Sequence, residues 1–417
     1  MLPKLEYYPV NWVDGMKISR KHFADFEHFV SDQLRDSVAV GLTSYNYGLM
    51  PSEAPDFALQ VIADQSQNLR LQLTNCRAIT GAGCRIELIN EQVELATSLK
   101  EILAKYNIPM ADELNFLIVL SVDLFVRKPA GAPANNEPFP RPPYTVPTYW
   151  LSIVPAHQYD SQSGNRPGYP SSTFESTHLV VGQITCRHGQ LANVDAYIPA
   201  CTAISAHSAL LAWSNQLGKV LAEVQRDAFI VVEKVVRKRG TQQGREAGPL
   251  AELIRTLAEQ IALSLDDVLN HLHFNGREAS PMQLLQRVTL ATRAVKTTLM
   301  QLNDRDLVGS LKLGKDLVLP YFQSWTDLSP VQIEGSLEAV ITHRYQHDNI
   351  RPHLDLMLRC WMQIQVIFKT MTEREYIGQK PNRNGVLDIS RPTDERDLPR
   401  EPAVTVVPKA APSFRFT

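Results

Sequence analysis

The 417-residue chain lacks any apolar run long enough to cross a bilayer as a helix. Its most apolar stretch, Leu114 to Val126, is interrupted by Ser121 and Asp123. A spanning helix needs about 20 apolar residues, so this stretch reads as a buried strand. Cysteine is scarce: Cys76, Cys84, Cys186, Cys201 and Cys360 are five in number, widely spaced, and form no Cys-x-x-Cys. An odd, scattered set argues against a disulfide framework or a zinc ribbon and for free thiols in a reducing compartment. The opening MLPKLEYYPVNWVDGMK has no apolar core of the kind a secretory signal carries. Charge of one sign is missing too, with 42 basic against 44 acidic residues and a net charge of −2. That balance sets aside a chain devoted to nucleic acid or to an anionic surface. Also absent are a phosphate-cradling G-x-x-x-x-G-K-S/T loop, a G-x-S-x-G elbow and an H-E-x-x-H pair. The expectation is a protein that is not an enzyme and holds no cofactor and no metal.

What is present is ordinary globular material, 44% hydrophobic and 21% charged, long enough for two to four domains. Residues 1–18 mix aromatics with Pro9 and have no helical period, so they read as an extended docking arm. From 19 to 40, Phe23, Phe26, Phe29, Val30, Leu34 and Val38 recur at helical spacing. From about 41 to 200 the texture is β: FALQVIA (57–63), LRLQLTNCRAIT (69–80), CRIELI (84–89), residues 114–126, YWLSIVP (149–155), HLVVGQIT (178–185) and ANVDAYIP (192–199). Short strands divided by turns predict a β-sandwich or barrel over 19–200. Seven prolines in the 19 residues 129–147 predict a long excursion between strands, because proline lacks the ladder donor.

Near 204 the period changes, and helices are expected over 204–239, 247–263, 265–275, 281–302, about 331–345 and 350–376, with Gly240 as a stop. Residues 201–377 therefore read as a helical bundle, and the fold class as α+β. Residues 378–417 hold six prolines and 12 charged residues and read as a mostly disordered tail. Its pieces AVTVV (403–407) and SFRFT (413–417) suit strand addition to a partner.

Few residues invite a chemical role. His343 and His347 are four apart with His353 nearby, a spacing that would bring imidazoles together on a helix; capping and packing explain it equally. Asp266 and Asp267 read as the first turn of a helix after Ser264. The run Lys234, Arg237, Lys238, Arg239 and Arg245 suits a solvated helix end, and lacks the aromatics that stack nucleic-acid bases. Tyr7, Tyr8 and Trp12 in the arm must be buried somewhere, on their own fold or on a partner.

VNWVDGMKISRKHFADFEHF resembles the opening of the TssK family, the baseplate adaptors of bacterial type VI secretion systems, through Trp12, Gly15, Met16, His22 and Phe23. Further segments agree in order: LTNCRAITGAGCRIEL, FLIVLSVDLFVRKPAG, HLVVGQI, VDAYIPACTAISAHSALL, ASPMQLLQRVTLATRAV and YQHDNIRPHLDLML (345–358). The series covers about residues 5–375; Ala200 stands where the family often has a second proline. The resemblance implies a β-sandwich shoulder like that of siphophage receptor-binding proteins, a bundle that forms a homotrimer, and binding to the TssF and TssG wedge subunits. It implies wedge-binding residues Tyr7, Tyr8, Trp12, Gly15 and Met16, and a cytoplasmic place at the inner face of the inner membrane; the family meets inner-membrane complex components through a separate C-terminal domain, so here either the tail replaces that domain or the membrane complex differs. It also makes His347 structural, at a helix start. The family carries about a hundred further folded residues where this chain has about 40 after 377. A phage-tail receptor-binding or tail-assembly protein of related fold is the alternative.

Overall fold

The structure, a computed structural model, describes residues 4–52, 56–133, 141–159, 177–238, 248–301, 303–305, 311–374 and 377–378. The expected tail beyond Gly378, the Gly240 stop, Arg239 and Arg245 lie outside the described residues.

The chain is α+β, with strands first and helices after. After α1 (Arg20–Ala39) come β1 (Gly48–Leu49), β2 (Ala58–Ala63), β3 (Asn68–Ile79) and β4 (Arg85–Ser98). The long β3 pairs with β1 and β2 along one side and β4 along the other, all antiparallel. A short helix α2 (Leu99–Tyr106) leads to the second sheet. That sheet holds β5 (Glu113–Ala130), β6 (Tyr144–Pro155), β7 (His178–Arg187) and β8 (Gln190–Asn193), in the order β6-β5-β7-β8. The two sheets share one core. Leu69, Leu71, Leu73, Ile86 and Leu88 of the first meet Phe116, Ile118, Leu120, Leu179 and Val181 of the second. They approach so closely at Gly182 that a Cβ there would lie 2.5 Å from Leu59.

β4 continues nine residues past the expected strand, with Val93 and Leu95 inward and Gln92 and Glu94 outward. A bulge at Asn75, whose φ is +53°, shifts the register between Thr74 and Cys76 and breaks the alternation there. The proline-rich excursion is shorter than expected, because its flanks are strand: Pro129 pairs with Thr145, Ala130 with Tyr144, and Arg127 with Pro147. Pro147 sits in the edge strand β6, and β7 accompanies β5 only as far as Ser121. Both prolines therefore fall where a strand has a side without a partner. Residues 134–140 lie outside the described residues. The expected strand at 192–199 ends at Asn193.

The bundle comprises α3 (Ser208–Lys238), α4 (Gly248–Asn275), α5 (Pro281–Gln301), α6 (Gly314–Gln323), α7 (Pro330–Thr342) and α8 (Arg351–Glu373). A two-stranded ribbon of β9 (Asn303–Arg305) and β10 (Leu311–Leu313) precedes α6. The helix expected to end at 263 and restart at 265 is continuous. Ser264 turns its hydroxyl back onto the Ile261 carbonyl instead of capping a new helix. Asp266 and Asp267 accordingly lie mid-helix, accepting from Gln225 and Arg287. The α3 stripe of Leu210, Trp213, Leu217, Val220, Leu221 and Val224 is buried, with α4 and α8 packed along the helix. Trp213 donates its indole N–H to the Leu354 carbonyl at 3.1 Å, and Trp361 to Thr292 Oγ1 at 3.1 Å. Lys234 reaches the Thr372 and Arg374 carbonyls and so satisfies the open C-terminal end of α8. All five cysteines are unpaired and buried. Among the described residues no helix is long and apolar enough to cross a membrane.

Candidate protein-docking surface

The arm is held to α1 by its backbone. The Glu6 and Tyr7 N–H groups both donate to Asp32 Oδ2, at 2.6 and 3.0 Å. Arg35 lies 2.7 Å from the other Asp32 oxygen and 3.5 Å from the Lys4 carbonyl. Asp32 and Arg35 are buried, so α1 turns its polar pair inward. Tyr7 packs its ring on His28 and Phe125, with centroids 4.8 and 4.4 Å apart. The tyrosine expected to face a partner is thus engaged by its own fold.

Beyond Tyr7 the arm turns outward. Tyr8 is exposed and Trp12 is 48% exposed. Residues 13–16 form a tight turn in which the Met16 N–H donates to the Val13 carbonyl at 3.1 Å and the Val13 N–H points at Met16 Sδ. Gly15 has φ +80°, the left-handed conformation that the third turn position requires. The turn brings Trp12 edge-on to His22, centroids 6.1 Å apart, while His22 Nδ1 accepts from the Ser19 N–H at the start of α1. The W-x-x-G-M and H-F signatures therefore describe one device: a turn, a helix cap and the tryptophan between them.

The surface continues along α1. Phe23, Phe26, Val30, Leu34 and Val38 form a single stripe, and all are exposed, Phe23 to 58% and Leu34 to 64%. Helical spacing in the sequence marked this face correctly but gave no sign that it points to solvent. The available signal was Asp32 and Arg35 on the opposite face, with the spacing of an i, i+3 ion pair.

The histidines belong elsewhere. His343 ends α7, His347 lies in a short 3₁₀ turn, and His353 sits in the first turn of α8, so the first two share no helix face. His347 Nε2 lies 2.8 Å from the Tyr47 carbonyl, which can only accept, so Nε2 carries the proton. Nδ1 then accepts from the Tyr345 hydroxyl at 2.7 Å. Burial holds the His347 pKa below its ordinary value, in keeping with a neutral ring. Next to it, Tyr47 donates to Asp348 Oδ1 and Tyr197 to the Asp348 carbonyl, both at 2.6 Å. The Y-x-H stretch is thus a clasp between the strand region and the bundle. Burial, with the neighbouring His343 adding to it, pushes His353 down to about 4. Among the described residues no three metal-ligating side chains cluster.

The described fold thus combines a two-sheet β region, an anchored aromatic arm and a helical bundle. No family model matches the sequence, and no curated protein matches it. Solved structures similar to this chain include TssK from the type VI secretion system of EAEC in complex with a nanobody: 14% identity over 81% of this chain and 96% of that one, TM-score 0.43. Another is the type VI secretion TssK-TssF-TssG baseplate subcomplex seen by cryo-electron microscopy: 15% identity, 87% and 100% coverage, TM-score 0.44. A third is a baseplate complex from the type VI secretion system: 13% identity, 86% and 99% coverage, TM-score 0.46.

Proposed function

We propose that this chain is a structural adaptor of a type VI secretion baseplate, without catalytic activity. Its arm, residues 1–18, docks on the TssF–TssG wedge. The β-sandwich over 19–200 and the bundle over 201–377 form the body, and the tail from 378 meets the membrane complex at the cytoplasmic face of the inner membrane. The observation that carries the reading is the anchored arm. Of the residues that resemble the family's opening, Gly15 and Met16 shape the turn that leaves Trp12 exposed, His22 meets Trp12 edge-on at the start of α1, and Phe23 begins the apolar stripe. Exposed tryptophan held in place by its own fold has the character of an interface anchor.

The body assembles as a homotrimer. The α3 stripe is covered within the chain, and the exposed α1 stripe supplies the contact: a cyclic assembly buries the same face in every copy. The test is co-purification of the Trp12→Ala variant with TssF and TssG. Loss of a central aromatic anchor costs about 2–4 kcal/mol, so wedge recovery falls sharply while the assembly's mass in solution is unchanged. Undiminished recovery of the wedge removes the arm from the reading.

A further inference from the structure

The edges of the two sheets differ in how they are protected. On the first sheet, β4 carries Arg85, Glu87, Glu91 and Glu94. It also meets the second sheet, where the Glu87 N–H donates to Tyr149 Oη at 3.4 Å and Lys128 lies 3.3 Å from Glu91. β1 is closed by its backbone bonds to Ala200 and Thr202. On the second sheet, β6 carries Pro147, and β8 has four residues. Charge, proline and shortness all guard an edge against further pairing. β2 is longer, and its residues ALQVIA hold neither charge nor proline; Ile62 is 56% exposed.

Register shows which groups this edge presents. The Asp64 N–H donates to the Asn68 carbonyl at 3.0 Å, so these two form a hydrogen-bonded pair. Such pairs alternate along an antiparallel ladder, and Ile62–Arg70, Gln60–Gln72 and Ala58–Thr74 are the next. The N–H and C=O groups of Leu59, Val61 and Ala63 therefore point away from β3. Among the described residues no strand pairs with them. Leu59 reaches inward to Gly182 of β7. β8 lies one strand farther out in the second sheet, and its inward Leu191 is only partly buried. β2 and β8 have no ladder between them; Gln67 Nε2 ties the turn after β2 to the Gly189 carbonyl at 2.9 Å. Among the described residues the first sheet is thus one strand short opposite β8.

We propose, independently of the adaptor reading, that the position beside β2 takes an extended segment of a partner protein as an added strand. A row of backbone donors and acceptors at strand spacing is matched by another extended backbone. Side chains on the inward face of that strand meet Leu59, Val61 and Leu191, which asks for apolar residues two apart. Asp56 and Asp64 flank β2, and Arg70 stands opposite Ile62 on β3. Charge of both signs surrounds the edge, so the segment is selected by its apolar alternation and not by charge. Strand order sets a second copy aside. Antiparallel pairing of two β2 strands relates the copies by a two-fold axis. β8 extends past β2 in each copy, so the two β8 strands would meet in the same space.

The test uses the full chain and a synthetic peptide, LRLQLT, the sequence of residues 69–74 that already pairs with β2 on its other side. Amide hydrogen exchange is read residue by residue. In the free chain the Leu59, Val61 and Ala63 amides are expected to exchange about tenfold faster than those of Gln60 and Ile62, which bond to β3. Millimolar peptide is expected to slow the three about tenfold, and the fully N-methylated peptide to slow none. Slow exchange of all five amides in the free chain overturns the proposal, as does an absence of effect from LRLQLT or an equal effect from its N-methylated form. Slowing that appears with rising protein concentration and no peptide would give the edge to a second copy, and overturns it too. Val61→Pro removes the central free donor and leaves the ladder bonds of Gln60 and Ile62 in place. It is expected to abolish the peptide's effect on Leu59 and Ala63 at unchanged circular dichroism. An effect that persists in this variant places the peptide elsewhere and overturns the proposal.

Discussion

Single residues decide how the arm and the two parts of the body are held. Asp32 is a buried carboxylate that accepts from two arm amides and faces Arg35. Asp32→Ala would leave Arg35 buried without its anion, a change that costs about 3–5 kcal/mol. The expected outcome is a lower denaturant midpoint together with faster hydrogen exchange at the Tyr7 amide; slow exchange there would mean that the arm is held by its rings alone. Gly48 works by the absence of a side chain. Its φ is +112°, and a Cβ would lie 2.1 Å from the Ala200 carbonyl oxygen. There Leu49 donates to Ala200 at 2.7 Å and Thr202 donates back to Leu49 at 2.8 Å. Gly48→Ala should lower stability by more than the roughly 1–3 kcal/mol of backbone strain alone, read by chemical denaturation. His353 gives a pH dependence. Its folded pKa, about 4, lies below the unfolded value, so the unfolded chain binds the proton first as pH falls. Stability present above about pH 6.5 is therefore lost progressively toward pH 4, and Tm at pH 5 should fall below Tm at pH 7.5. His353→Leu should shrink that difference; an unaltered difference would assign it to other groups.

At the scale of elements, the sequence marks most of the architecture wherever a periodic pattern meets an ordinary environment. β2, β3, β5, β7, α3, α5 and α8 lie close to where alternation or helical spacing places them. The exceptions have local causes. α2 carries a capping box of Ser98 and Glu101, yet its eight residues offer too short a period to read from the sequence. The strand ends at Pro129 and Pro147 have the composition of a loop, because composition does not reveal which strand is an edge. In the arm, Trp12 stands out in the sequence, but the turn at residues 13–16 and the direction of α1 do not. Spacing identifies a face, but what covers the face depends on tertiary packing. The exposed stripe makes a prediction at this scale. Leu34→Asp at its middle should convert an assembled protein to monomer in light scattering while leaving helix content by circular dichroism unchanged. An assembly that survives the charge would place the contact elsewhere.

For the whole molecule, the adaptor reading predicts a mass of three chains in solution, each 46.9 kDa. A monomer at micromolar concentration would remove the proposed assembly at its base. The clasp has a further consequence, one of time. Tyr47 and Asp348 are 301 residues apart in sequence, and His347 meets the Tyr47 carbonyl across 300. A ribosome adding about 5–20 residues per second needs roughly 15–60 s to cover that separation. Gly48 and Leu49 wait about half that interval for Ala200, and the Tyr47 hydroxyl waits all of it for Asp348. The seam between the strand region and the bundle can close only when the short turn ahead of the last helix has been made.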